Sequence, residues 1–210
     1  MKLTIIGASA GVGLATAKRA LELGHTVTTL ARRKVEIKPN ENLTTIQGDA
    51  LHEDDLKSAI SGADAILVTL GTGMKTSATT LCSDFAKVLL DIHACEPITV
   101  PVIILSGFGA GDSRPYLWWL SRPVFSLILN KIYVDKVEME QRIAASTLRW
   151  EFVRPGTLTN KPLTGKYRVE PTLYTGMNIR KISRADVADY LVKEAVALKN
   201  LGKYPALTEK

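Results

Sequence analysis

Residues 5–15 read Ile5-Ile6-Gly7-Ala8-Ser9-Ala10-Gly11-Val12-Gly13-Leu14-Ala15, and this stretch decides the fold. An apolar run leads into the glycines and a helical pattern follows them, which predicts a strand, a tight turn and a helix. Gly7 permits the turn, Gly11 lets the backbone approach a diphosphate, and Gly13 lets the helix lie close to the sheet. The N–H groups at the start of the helix favour an anion. A purely structural turn is the alternative. The predicted dinucleotide-binding residues here are Gly7, Ser9, Ala10, Gly11, Val12 and Gly13.

Short apolar runs and helical patterns alternate along the rest of the chain. This alternation is typical of an α/β fold, and it predicts a Rossmann-type, doubly wound, mainly parallel sheet with helices on both faces. We expect a single domain over residues 1–210, with a small C-terminal lobe at about 107–182; one or two short strands are expected within 157–182. The predicted strands are 2–6, 26–31, 43–47, 64–69, 102–105, 150–154 and 204–207. One predicted helix runs from the glycine turn at 7–13 to about Leu23, and others lie at about 53–60, 77–95, 130–146 and 184–199, with another after Pro123.

The end of the second predicted strand indicates which dinucleotide binds. An NAD-specific site usually carries Asp or Glu there, whereas this chain continues with Arg32 and Arg33. Their guanidinium groups can pair with a 2′-phosphate, which favours NADP(H) over NAD(H), although a solvated basic loop is the alternative. Further cofactor contacts are predicted after the third and fourth strands, at Asp49, Ala50, Thr69, Leu70 and Gly71. Asp49 could instead cap the helix that follows it.

The overall composition argues against several other classes of protein. The 210 residues carry a net charge of +6, but Lys and Arg form no long run and no zinc-finger spacing occurs, so we expect no nucleic-acid partner. The most apolar stretch, 117–132, is too interrupted to be a transmembrane segment, and the first apolar run is too short for a signal peptide. Cys82 and Cys95 are isolated, and the stretch 93–96 lacks zinc-site spacing. We therefore expect a cytoplasmic protein without a metal.

Four further stretches carry a family resemblance, namely Gly48-Asp49-Ala50, Leu105-Ser106-Gly107-Phe108-Gly109-Ala110-Gly111-Asp112-Ser113, Trp150-Glu151-Phe152-Val153-Arg154-Pro155-Gly156 and Ile182-Ser183-Arg184-Ala185-Asp186-Val187-Ala188. Together with the glycine turn, they make the chain resemble atypical short-chain dehydrogenases/reductases, and within them the NmrA-like NAD(P)H-binding proteins related to biliverdin reductase B (flavin reductase). The resemblance implies that Ser106 lies beside the nicotinamide, that Lys136 holds the nicotinamide ribose, and that Pro155 contacts the cofactor. The alternatives are a turn-forming serine and a surface lysine.

The tyrosine acid of related alcohol dehydrogenases is missing from its usual place. Such enzymes pair a tyrosine with a lysine four residues later, but Tyr133 precedes Lys136 by three residues, and the position four before Lys136 is Ile132. On a helix, the residue three positions before Lys136 points in a different direction from the residue four positions before it. We therefore expect no tyrosine proton donor at this site.

A reductase without that donor suits acceptors that take their protons from solvent. We expect NADPH-dependent hydride transfer to a small planar acceptor such as a flavin or a quinone. A non-catalytic NADP(H) redox sensor that acts through a protein partner is the alternative. An aromatic group after the fifth strand could wall the acceptor pocket, touch a membrane or another subunit, or simply pack in the core; it comprises Tyr116, Leu117, Trp118 and Trp119.

Overall fold

The computed structural model describes residues 1–71, 79–116 and 130–210, with the backbone alone at residues 114 and 130–132. Several predictions fall outside this part of the chain. They concern the start of the helix predicted from Ser77, residues 117–119 of the predicted pocket wall, the helix after Pro123 and the side chain of Ile132.

Strands and helices alternate along the chain, as the sequence predicts. The strands are β1 (Lys2–Ile6), β2 (Thr26–Ala31), β3 (Leu43–Gln47), β4 (Ala65–Val68), β5 (Val102–Leu105), β6 (Trp150–Pro155), β7 (Thr157–Thr159), β8 (Tyr167–Glu170), β9 (Lys181–Ser183) and β10 (Ala206–Glu209). The helices are α1 (Gly11–Glu22), α2 (Glu53–Ile60), α3 (Leu81–Cys95), α4 (Asn130–Ala144) and α5 (Arg184–Ala197), and a 3-10 turn covers Gly111–Tyr116.

The main sheet has the strand order β3-β2-β1-β4-β5-β6-β10-β8. Every neighbouring pair is parallel except β10 and β8, which are antiparallel. The order reverses between β1 and β4, and ligands of doubly wound sheets bind at the carboxyl ends of the strands at such a switch point. The predicted Rossmann-type fold is confirmed.

Side chains of β1 alternate between two hydrophobic cores, one on each face of the sheet. Leu3 and Ile5 pack with apolar residues of α1 and α5, whereas Ile6 packs with residues of α2, α3 and α4. A central parallel strand is covered on both faces, which is why Leu3, Ile5 and Ile6 are all buried although they point to opposite faces. The packing sets α1 and α5 side by side on one face.

The C-terminal part of the chain differs from the prediction in its strands. Residues 157–183 form three short strands rather than one or two, because β7 and β9 pair with each other and β8 joins the main sheet. The last strand begins at Ala206 and lies between β6 and β8. Such pairing depends on partners far away in the chain, so a local pattern does not reveal it. In the part of the chain that is described, no helix is long and apolar enough to cross a membrane.

Candidate functional site

The glycine turn between β1 and α1 is held close to the end of β4. Gly7 has a φ of +89°, and its N–H donates to the carbonyl of Leu30 at 2.8 Å. A methyl group on Gly13 would overlap the Gly7 carbonyl oxygen and the Thr69 hydroxyl. Thr69 is itself fixed, because its N–H and its hydroxyl donate to the carbonyl of Ile6 at 2.8 and 2.7 Å. These contacts agree with the roles predicted for the first and third glycines.

The start of α1 is open to an anion. Ala10 occupies the N-cap and provides no side-chain acceptor, and the first turn of the helix contains no acidic residue. Gly11 is exposed with a φ of +58°, Ser9 is half-buried and Val12 is buried. The first N–H groups of a helix lack partners within the helix, so they can bind a phosphate here. The turn therefore fits the diphosphate of a dinucleotide.

Arg184 at the start of α5 faces this turn, a contact that no local sequence pattern predicts. Its Nε lies 3.9 Å from the position that a Cβ on Gly11 would occupy. The residue stands in one of the stretches that carry the family resemblance, but nothing in a linear pattern shows that α5 begins beside α1. Only the packing of the two helices brings Arg184 to the glycine turn.

The carboxyl ends of β2 and β3 carry the residues predicted to face the adenosine half of the cofactor. Arg32 and Arg33 are exposed directly after β2, where no carboxylate stands. The carboxylate of Asp49 accepts the N–H of Leu51 at 3.1 Å, and the N-cap of α2 is His52. The alternative that Asp49 caps α2 is therefore wrong, because its side chain closes a turn before the helix starts. Three more predicted contacts lie near this edge: Ala50 is buried, Leu70 is half-buried and Gly71 is exposed.

Ser106 lies directly after β5 and is 4% exposed. Its hydroxyl oxygen has no hydrogen-bond partner within the described part of the chain. Buried polar groups in folded proteins nearly always have a partner, so this hydroxyl fits a ligand that supplies one. Pro155, at the end of the neighbouring β6, is buried, and its carbonyl accepts the N–H of Phe108 at 3.0 Å. Ser106 and Pro155 thus lie at the same edge of the sheet as the glycine turn.

Two side chains of α4 bind the loop that follows β5. The Lys136 amine donates to the backbone carbonyl of Ser106 at 2.8 Å, and the Tyr133 hydroxyl donates to the carbonyl of Phe108 at 3.2 Å. Burial lowers the pKa of Lys136 and raises the pKa of Tyr133 to about 12. Lys136 is therefore near Ser106, as the resemblance implies, but it contacts the backbone of that residue rather than its hydroxyl.

Buried charges hold α4 in place. Asp135 accepts the N–H groups of Cys82 and Ser83 at 2.9 and 2.8 Å and so satisfies the start of α3. Glu140 binds the buried guanidinium of Arg154 through two hydrogen bonds of 3.2 and 2.7 Å. Bidentate pairs of a guanidinium and a carboxylate have a defined geometry. Through them, α4 presents Tyr133 and Lys136 to the β5 loop in one orientation.

Comparison with known proteins agrees with this geometry. A sequence model of a family described as NAD(P)H-binding matches residues 7–197, which is most of the chain. The chain belongs to this NAD(P)H-binding family. The match includes the glycine turn, the β5 loop and all of α5, and it confirms the predicted resemblance to NAD(P)H-binding proteins.

Three relatives illustrate the breadth of the similarity. An uncharacterized sugar epimerase, YhfK, from Bacillus subtilis is 26% identical over 204 residues, covering 91% of this chain and 86% of that protein. The oxidoreductase ylbE from Lactococcus lactis superposes with a TM-score of 0.81 at 18% identity, covering 100% of this chain and 91% of the other. ChuY, an anaerobillin reductase from Escherichia coli O157:H7, gives 0.78 at 23% identity, covering 100% and 97%. At these identities, the two structures show a shared fold alone.

Proposed function

We propose that this chain is an NADPH-dependent reductase that delivers a hydride to a small planar acceptor such as a flavin or a quinone. The buried hydroxyl of Ser106, which finds no hydrogen-bond partner in residues 1–71, 79–116 and 130–210, carries the proposal. Leaving such a group without a hydrogen bond costs about 1–3 kcal/mol, which a polar atom of a bound nicotinamide or acceptor offsets. Bound NADPH supplies the hydride. The Ser106 hydroxyl, at the carboxyl end of β5, orients the nicotinamide or the acceptor to which it is hydrogen-bonded. The free thiols of Cys82 and Cys95 support a reducing compartment such as the cytoplasm.

The neighbours of Ser106 support an acceptor that needs no proton from the protein. Tyr133 directs its hydroxyl hydrogen to the carbonyl of Phe108, and burial raises its pKa to about 12, which makes it a weak acid at neutral pH. Lys136 directs its amine to the carbonyl of Ser106. Reduction of a flavin or a quinone requires the hydride in the right geometry, and the one proton that completes the reduction comes from solvent.

The similarity to ChuY, described as a reductase of anaerobillin, supports a planar conjugated acceptor. The relative described as a sugar epimerase represents the competing chemistry. Epimerisation of a sugar generally uses a tyrosine that exchanges a proton with a hydroxyl group, and in this chain the hydroxyl of Tyr133 is hydrogen-bonded to the backbone. We therefore favour reduction of the planar acceptor.

The proposed activity is tested by steady-state oxidation of NADPH with riboflavin phosphate, with a quinone and with a sugar nucleotide. We expect saturable turnover with the flavin or the quinone. We expect Ser106→Ala to lower kcat/KM about tenfold, the effect of one hydrogen bond to the reacting groups. Ser61→Ala, an exposed serine after α2, is the matched control. Turnover with the sugar nucleotide alone would overturn the proposal, and tight NADPH binding without turnover would favour the redox sensor.

We also propose that the cofactor is NADPH rather than NADH, because Arg32 and Arg33 are exposed where an NAD site carries an acid. Arg32→Asp removes a guanidinium and adds a negative charge, so we expect NADPH affinity to fall about 30-fold and NADH affinity less than about threefold. Titration of the nucleotide fluorescence measures both. Lys38→Asp makes the same change of charge at an exposed position farther along this loop and should alter neither affinity. Equal losses for the two nucleotides would contradict the preference.

A further inference from the structure

Arg184 carries a positive charge that its own surroundings do not neutralise. Its Nη1 donates to the side-chain oxygen of Asn160 at 2.7 Å, and Asn160 is a neutral residue. No ion pair with a carboxylate forms at this guanidinium among the residues that the structure describes. A guanidinium has five N–H donors, so most of its hydrogen-bonding capacity remains available. Asn160 therefore orients Arg184 without neutralising it.

The position of Arg184 on its helix makes this charge unusual. It is the first residue of α5, and a cation at the start of a helix is disfavoured by the helix dipole. The start of α5 is already satisfied by Ser183 and Asp186, whose side chains form the cap. The carboxylate of Asp186 also accepts the N–H groups of Thr164 and Gly165 at 2.9 and 2.8 Å. The guanidinium is thus not needed for the structure of α5.

The starts of α1 and α5 lie next to each other on one face of the sheet. The two helices pack side by side and are joined by an ion pair between Arg19 and Asp189 at 2.9 Å. The Nε of Arg184 lies 3.9 Å from the Cβ position of Gly11, where α1 begins without an acidic residue. The positive end of α1 and a guanidinium therefore converge on one point, and together they attract an anion.

We propose that Arg184, oriented by Asn160, binds the diphosphate of the dinucleotide across from the N–H groups at the start of α1. This inference rests on dinucleotide binding at the glycine turn. The backbone of α1 holds one side of the diphosphate, and the planar guanidinium forks onto its oxygens from the other side. Arg184 is a cofactor-binding residue here and takes no part in hydride transfer.

The inference distinguishes Arg184 from Arg32. NADPH and NADH share the diphosphate and differ at the 2′-phosphate. Loss of Arg184 must therefore weaken the binding of both cofactors by the same factor, whereas loss of Arg32 must weaken the binding of NADPH selectively. A probe that carries a 2′-phosphate but no diphosphate, 2′-AMP, should bind independently of Arg184.

Arg184→Met keeps the length of the side chain and removes its charge. We expect the Kd values of NADPH and NADH to rise by the same factor, about tenfold, as for one charge-assisted contact to a phosphate. Arg184→Lys keeps a positive charge but cannot form two parallel hydrogen bonds to a phosphate, so it should raise both Kd values less than Arg184→Met does. Asn160→Ala, at an exposed position, should weaken both nucleotides about threefold. Calorimetry measures binding, and the thermal midpoint of each variant should stay within about 2 °C of the wild type.

Arg149→Met is the matched control. It removes an exposed arginine that is hydrogen-bonded to the carbonyl of Thr99, beside the amino end of β6 and away from the glycine turn. Its Kd values should equal those of the wild type. Unchanged nucleotide affinity in Arg184→Met, or a loss confined to NADPH, would overturn the role of Arg184 while wild-type binding and turnover still supported the proposed reductase. Absence of binding in the wild type would instead refute the reductase itself.

Discussion

Gly13→Ala is expected to destabilise the protein by about 3 kcal/mol and to remove measurable NADPH binding. In an ordinary helix this substitution is favourable by about 1 kcal/mol. Here the new methyl group would overlap the Gly7 carbonyl oxygen and the Thr69 hydroxyl, and it would lie 2.9 Å from the Gly7 carbonyl carbon. Neither neighbour can move freely, because Gly7 and Thr69 are hydrogen-bonded to β2 and β1. Helix α1 must therefore shift away from the sheet and take the phosphate-binding turn with it.

Urea unfolding followed by circular dichroism measures the loss of stability, and calorimetry measures the binding of NADPH. Gly71→Ala is the stability control, because a methyl group there meets no described atom within 4 Å. It should change the free energy of unfolding by less than about 0.5 kcal/mol. A Gly13→Ala protein with wild-type stability and affinity would show that the close approach of α1 to β1 is not required.

The second large effect concerns Glu151, a fully buried carboxyl group on β6. It accepts a hydrogen bond from the hydroxyl of Tyr190 at 2.7 Å, and its other oxygen has no hydrogen-bond partner within the described part of the chain. Burial and the nearby carboxyl of Glu194 raise the pKa of Glu151 to about 8. A protonated Glu151 is neutral and can donate to Glu194, so the folded state favours the protonated form.

Because the folded-state pKa is raised above the unfolded value, unfolding releases this proton between about pH 4.5 and 8. The stabilisation is therefore complete below that range and is lost as the pH rises through the folded pKa. Each pKa unit corresponds to about 1.4 kcal/mol, so the wild type should lose several kcal/mol of stability from this group. Glu151→Gln stays neutral and keeps both an acceptor and a donor. It should remove most of this loss and exceed the wild type in stability at pH 9.

Urea unfolding at pH 5, 7 and 9 compares the two proteins. Glu41→Gln, which neutralises an exposed carboxylate, should follow the wild-type profile. A wild type and a Glu151→Gln variant that lose stability in parallel over this range would show that Glu151 is already ionised in the folded protein at neutral pH.

The phosphate-binding turn was predictable because its residues are neighbours in the chain. A strand, a turn and a helix are all visible as local patterns, and the roles of Gly7 and Gly13 follow from that geometry alone. The doubly wound sheet was equally predictable, because apolar runs that alternate with helical patterns are compatible with few other folds. The alternative that Asp49 caps α2 is wrong, because its carboxylate accepts the N–H of Leu51 instead. An aspartate before a helix can close a turn as readily as it can cap the helix.

The details of the C-terminal third could not be predicted in the same way. Its strands are only three or four residues long, and β10 is placed between β6 and β8 by hydrogen bonds to segments distant in the chain. The buried network of Glu151, Tyr190 and Glu194 likewise joins β6 to α5. Short polar segments carry little periodic signal, so their partners decide their conformation.

By itself, the sequence determined the glycine turn, the parallel sheet and the basic end of β2, because each is encoded in consecutive residues. Only the tertiary structure decided that Ser106 is buried with no partner among the described residues, that Lys136 binds the backbone of Ser106, and that Arg184 reaches Gly11. The physical reason is that these features depend on how α4 and α5 pack against the sheet, and packing joins residues that no local pattern links.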